Sequence, residues 1–333
     1  MKKLCGALCA LFLLLSGCGG PVSDSTDFFA MDTFMTLTAW GDNQDDAHAV
    51  VSEAEQEINR LSNALSRQVE ASSLAELNAA NGEIVTLDPD TYAALSRAVE
   101  YAEQTGGAFD PTTAPLSDLW GIGTDAAAVP DEAAIAQALT HVGYQNIELL
   151  DNNQARLLNG AQVDLGGIGK GYATDVVASL REDEPLLAQL GGNIGAYGEN
   201  PSSKDGLWTV GLADPDDSAN YIATLHIQDA SIVTSGDYER YFEQNGVRYH
   251  HIFDPSTGYP AQTGLRAVTV VDKESTRADA YTTALFVMGL DKGLAFCEEH
   301  DVQAVFVTQD HKIYVTGGLQ ITLADGVDYE LAS

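Results

Sequence analysis

Residues 163–175, VDLGGIGKGYATD, constrain this chain more than any other stretch. Val163 and Leu165 alternate with Gln162 and Asp164, the two-residue period of a strand, and the pattern stops at Gly166 and Gly167. Beyond Lys170, helical spacing runs from Gly171 through Ala173, Val176, Val177 and Leu180. Gly166, Gly167, Gly169 and Gly171 lack Cβ atoms, so the main chain here can lie close against a ligand. A helix start exposes unpaired N–H groups with partial positive charge, and the lysine adds a full one. Together they favour an anion, most naturally a phosphate. The spacing is not that of a P-loop, because Asp164 stands five residues before Gly169 where that motif has glycine. Nor is it GxGxxG, because Tyr172 occupies the last glycine position. The plain alternative is a ligand-free strand-to-helix turn. Asp164 at the strand end and Lys170 at the helix start favour the phosphate site.

The first residues are a targeting segment. Lys2 and Lys3 precede an apolar run over residues 4–15, too short to span a membrane, which reads as a signal peptide over residues 1–17. Leu15-Ser16-Gly17-Cys18 has the form of a bacterial lipobox, which implies a diacylglycerol thioether on Cys18 and an extracytoplasmic, lipid-anchored protein. Residues 18–28 are expected to be a polar tether, and residues 29–333 a single large domain. Cys5 and Cys9 leave with the signal, so Cys297 is the remaining thiol and no disulfide can form in the mature chain. Beside Leu294 and Phe296, it is expected to pack inside a helix. A net charge of −33 argues against nucleic acid, which needs a basic surface.

Residues 34–40 alternate as a strand. Val51, Ala54, Ile58, Leu61 and Leu65 mark an amphipathic helix, and Asp88-Pro89 starts another that ends at Gly106-Gly107. Residues 147–150 and 155–158 read as a hairpin; further strands are expected at 186–190, 208–212, 222–227, 267–271, 304–308 and 313–316. Without a regular strand–helix–strand alternation, the fold class is α+β with mixed or antiparallel sheets.

Three stretches could carry chemistry. In residues 105–120, Phe109 could flank an aromatic ring and Asp110 could accept hydrogen bonds from a ligand, or the loop is an ordinary connection. In residues 249–260, His251 lies near Asp254 and Thr257 on a proline-containing turn. A carboxylate can fix a histidine's tautomer, which makes His251 a general-base candidate, losing function below about pH 6. In residues 275–289, a helix with Thr276 at its N-cap puts Asp279, Thr282 and Thr283 on one side. One carboxylate with two hydroxyls is a poor calcium cage but suits magnesium, which keeps its waters; alternatively Asp279 merely complements the helix dipole.

In order along the chain, TGGAFDPTTAPLSDLWG, VDLGGIGKGYATD, LGGNIGAYG, TSGDYERYF, HIFDPSTGYP and ADAYTTALFVMG resemble the ApbE-type FAD:protein FMN transferases. The resemblance runs from about Met31 to the C-terminus. It implies a T-fold-related α+β core and a Mg2+-dependent reaction that moves FMN from FAD to a threonine or serine of a partner protein, releasing AMP. It implies Asp279, Thr282, Thr283 and the main chain at Gly167 as magnesium ligands. Met31, Ala108, Phe109, Asp110, Asp164, Lys170 and Phe253 would surround FAD, with His251 catalytic. The acceptor would carry a D-G-x-T-G-A-T-like sequence, which this chain lacks. Gln68 departs from the family pattern, which has an aromatic there. Two rivals remain at this point: hydrolysis of FAD to FMN and AMP, and flavin binding without turnover.

Overall fold

The computed structural model describes residues 21–180 and 184–332, so the signal peptide and Cys18 lie outside the described residues. Among these residues, the central sheet has strands whose order in space is their order along the chain. They are β1 (Val22–Ala30), β2 (Thr33–Gly41), β3 (Leu186–Leu190), β4 (Asn193–Tyr197), β5 (Ala230–Gly236), β6 (Leu265–Asp272), β7 (Gln303–Thr308), β8 (Lys312–Val315) and β9 (Glu330–Leu331). Pairing is antiparallel throughout except for β8 with β9. Such a meander leaves the rest of the chain to be inserted between strands.

The segment between β2 and β3 supplies α1 (Gln44–Ala64), α2 (Pro89–Gln104), α3 (Ala114–Trp120) and α4 (Gly169–Leu180), and α5 (Ser275–His300) joins β6 to β7. Helix α1 packs on β1 and β2, α4 on β4, and α5 on β5 and β6. Val51, Ala54, Ile58 and Leu61 form the buried stripe of α1, as their spacing requires. The other side of the sheet is covered by strands Trp208–Ala213, Tyr221–Ile227 and Ile321–Leu323. Ile222, Leu225, Ile232 and Val305 belong to the core on this side, where Trp40 meets Trp208 edge-to-face at 5.3 Å. The α+β architecture follows the sequence reading, and so does the hairpin that pairs Ile147 with Leu157. Cys297 is buried, and burial pushes its thiol up to about 11.

Three local expectations are corrected. Residues 18–28 are not a tether throughout, because from Val22 the chain is β1, paired with β2 from Val22↔Gly41 to Ala30↔Thr33. As an edge strand it keeps one side wet, so Asp24 and Asp27 fit there while reading as linker composition. Val163 and Leu165 are buried in alternation but join no sheet. Their stretch is held instead by the Asn78 carboxamide, which accepts from Val163 N at 2.7 Å and donates to Val163 O at 2.8 Å. Thr276 is not an N-cap; it lies in the first turn of α5, where Asp175 does the capping.

Candidate active site

The first turns of α4 and α5 meet. Gly171 N donates to Asp279 Oδ2 at 2.8 Å, and Lys170 Nζ lies 3.8 Å from Asp279 Oδ1. Gly171 has to be glycine, since a Cβ there would come 2.4 Å from Ser275 O. In return, the Asp175 carboxylate accepts from Ser275 N at 2.7 Å, from Thr276 N at 2.8 Å and from the Thr276 hydroxyl. Burial raises the Asp175 pKa, and those hydrogen bonds oppose the rise. The helix start expected to take an anion thus lies against the Asp279 carboxylate, with Lys170 beside it.

The hydroxyls of α5 divide in role. Thr282 Oγ1 donates to Asp279 O at 2.8 Å and accepts from Ser235 Oγ at 2.9 Å, so it braces the helix. Thr283 is half-buried, and a Cβ on Gly167 would sit 3.9 Å from its Oγ1 and 3.2 Å from Phe109 Cε2. Gly167, Phe109 and Thr283 thus border one space that a side chain at 167 would fill. Among the described residues no cluster of three or more His, Cys, Asp or Glu forms a metal site. What remains is one carboxylate, one hydroxyl and nearby main chain, a set that fits magnesium carrying its own waters better than calcium.

Near enough to Lys170 for that cation to weigh on its ring, His251 directly follows a ribbon of strands Tyr241–Gln244 and Val247–His250. Arg240 and His251 close its base: His251 N donates to Arg240 O at 3.1 Å, and Nδ1 lies 3.4 Å from the same oxygen. That carbonyl, not Asp254, is the ring's partner, because Asp254 Oδ1 accepts from Ser256 N and Oγ. Desolvation, with Arg240 and His250 alongside, pushes the His251 pKa down to about 3. The side chain keeps some contact with solvent, which relieves part of that penalty; either way the ring is neutral near pH 7. His250 points the other way, buried with Nε2 2.9 Å from Ala261 O.

Two charged residues escaped the sequence reading. Arg240 Nη2 donates to Asp32 O at 3.3 Å, drawing the turn that holds Met31 to the ribbon. Glu239 feels Lys170, Arg240 and Asp279; crowding by protein raises its carboxyl above the ordinary range, the two cations lower it, and its exposure lets water offset part of the cost. The stretch TSGDYERYF contains both, but adjacent opposite charges carry no periodic signal.

Of the residues expected around a flavin, Ala108, Phe109 and the half-buried Met31 pack against one core cluster. Asp164 is positioned by Gly166 N on Oδ1 and by Arg67 Nε on Oδ2, each at 2.8 Å. Arg67 also reaches Asp118, so it is Arg67, rather than the exposed Gln68, that borders Asp164. Asp110 is buried; it accepts from Thr112 N and Oγ1 and from Tyr144 N, and so organises its own loop. Burial raises its pKa against those bonds. Phe253 lies in the core with Leu116, Trp120 and Ile135.

Comparison with known proteins bears on the family and the fold. The model of the ApbE family matches residues 31–306. A Treponema pallidum protein named FAD:protein FMN transferase is 38% identical over 293 residues, covering 82% of this chain and 81% of its own. A Klebsiella pneumoniae protein of the same name is 37% identical over 276 residues, covering 80% and 85%. The crystal structure of the Thermotoga maritima ApbE protein superposes with a TM-score of 0.79 at 32% identity, covering 91% of this chain and 97% of that one. Extensive similarity in sequence and in fold leads to one conclusion: the chain belongs to the ApbE family.

Proposed function

We propose that this chain transfers the FMN half of FAD to a threonine or serine hydroxyl of a partner protein and releases AMP. The observation that supports this reading is a neutral histidine near a helix start with two cations, Lys170 and Arg240, close by. With Nδ1 turned to Arg240 O, the proton resides on Nδ1 and the Nε2 lone pair is free. Nε2 takes the proton of the acceptor hydroxyl, whose oxygen bonds to the FMN phosphorus. The bond from that phosphorus to the bridging oxygen breaks, and AMP leaves with its electron pair. Lys170 and Arg240 offset the charge that gathers on the phosphates.

Asp279, Thr283 and the main chain at Gly167 would hold Mg2+. Bound there, the ion would supply charge neutralisation on the pyrophosphate. Asp279 Oδ1, held only by a long contact to Lys170, and the half-buried Thr283 hydroxyl support this role. The acceptor is proposed to carry a D-G-x-T-G-A-T-like sequence. A lipid on Cys18 would place both proteins on the outer side of a membrane. Incubation with FAD, Mg2+ and such an acceptor, followed by its intact mass, tests the proposal: one FMN phosphoester per acceptor is expected. Free FMN with unmodified acceptor would make water the nucleophile and sink the transfer reading.

A further inference from the structure

The stretch LGGN, ending at Asn193, is used by no step above. Its glycines allow a tight passage, since a Cβ on Gly192 would lie 2.8 Å from Thr234 O and 3.2 Å from Glu239 Oε1. Asn193 itself has no solvent exposure, yet neither its Oδ1 nor its Nδ2 has a hydrogen-bond partner. Among the described residues it is the one side chain with two separate polar atoms left so. Buried polar groups are overwhelmingly paired, and an unpaired one costs stability. A native chain keeps such a group where something arrives to satisfy it.

Register and packing show where that is. Asn193 pairs with Val233, so it shares a face of the sheet with Ser235, diagonally about 7–8 Å away. Ser235 holds Thr282, which holds the main chain of Asp279. Two residues along β4 on the same face, a Cβ on Gly195 would lie 2.6 Å from Thr174 Cγ2, and Thr174 Oγ1 bonds Lys170 O one helical turn back. Asn193 therefore lies in the floor beneath Lys170, Asp279 and Thr282.

We propose that Asn193 is a positioning residue of the phosphate site, its carboxamide reserved for the hydration shell of a divalent cation bound beside a phosphate. A bare cation would satisfy Oδ1 alone, and a phosphate oxygen Nδ2 alone. A metal-bound water donating to Oδ1, with an oxygen acceptor at Nδ2, satisfies both. This rests on the function proposed above, and the test separates the two. Melting temperatures of wild type and Asn193→Leu are measured ligand-free, with FAD and EDTA, and with FAD across a Mg2+ titration. Asn193→Leu removes the unpaired atoms at similar volume. It should melt higher than wild type ligand-free, keep the shift given by FAD alone, and need about tenfold more Mg2+ for half of the metal-dependent shift. Asn193→Asp, which retains the acceptor oxygen, should return that half-point towards wild type; if the leucine variant does not fold, Asn193→Ala takes its place and should show the same rise of about tenfold in Mg2+ half-point. An unchanged Mg2+ half-point in both variants overturns the role of Asn193 alone. A ligand-free melting temperature that falls in Asn193→Leu does so too, because the carboxamide would then be paired within the fold. A wild type whose melting ignores Mg2+ overturns the metal reading of the site as well.

Discussion

Asp175 and Asp279 cap each other's helices. Asp175, on α4, takes the N–H groups of Ser275 and Thr276 at the start of α5, while Asp279, on α5, takes the N–H of Gly171 at the start of α4. The exchange joins two helix N-termini, each with partial positive charge, at one point. The two carboxylates differ in what is left over. Both Asp175 oxygens are engaged by α5, whereas Asp279 keeps Oδ1 facing Lys170.

Their alanine variants should therefore separate. Asp175→Ala leaves two first-turn N–H groups without an acceptor and should lower unfolding free energy by about 1–3 kcal/mol. Asp279→Ala should keep a wild-type circular dichroism spectrum while abolishing Mg2+-dependent transfer. Urea melts beside transfer assays decide it; transfer at the wild-type rate in Asp279→Ala would move the metal elsewhere.

Histidine 251 gives a pH signature. The free ring is neutral until pH falls towards about 3, so kcat/KM for FAD should show no loss around pH 6, contrary to the sequence expectation. For stability the sign is as follows. Between the unfolded value near 6.5 and the folded value, the unfolded chain binds the extra proton. Its contribution is thus complete above about 6.5 and is lost as pH falls towards about 3. His251→Ala should flatten that part of the melting curve against pH and lower transfer by about 10²–10⁴ with FAD affinity retained, as fluorescence quenching would report. Loss of FAD binding together with transfer would make His251 a structural residue.

Glycines two residues apart should respond in opposite directions. A Cβ on Gly171 meets main-chain atoms of Ser275 and Thr276, the nearest at 2.4 Å, so Gly171→Ala should cost about 1–3 kcal/mol and weaken the α4–α5 contact. A Cβ on Gly169 has only Leu65 Cδ1, at 3.8 Å, within reach, so Gly169→Ala should be neutral or gain up to about 1 kcal/mol from helix propensity. Equal thermal melting of the two variants would contradict the close helix crossing.

The proposed anchor is checked by Cys18→Ala. That variant should accumulate unprocessed and leave the lipid-modified fraction, as detergent phase partitioning and mass spectrometry would show. Quantitative recovery of a processed, membrane-bound form would exclude lipidation at Cys18.

Periodicity made the outer layers legible and left the middle of the sheet dark. The spacing of α1 and the alternation of residues 34–40 both reflect one buried and one wet side. Strand β4, NIGAY, and strand β5, ASIVTSG, are covered on both faces, so neither shows a two-residue rhythm. In the site, Lys170, Asp279 and Thr283 were readable because local motifs carry them. Arg240 was not, because its carbonyl meets His251 across the ribbon base, whereas Asp254 was merely nearer in sequence. Nor does LGGN disclose an unpaired carboxamide, which depends on what the fold fails to place around it.

Strand β1 begins at Val22, and this fixes how high above a lipid surface the chemistry would occur. Three residues separate Cys18 from Val22, and the four steps between them reach at most about 14 Å. The strand then runs roughly 27 Å to Ala30, beside the turn that Arg240 grips. An enzyme held on so short a leash cannot search a wide volume. It would serve acceptors that present their hydroxyl within a narrow band of heights over the same bilayer, and a longer linker spliced in before Val22 would widen the band.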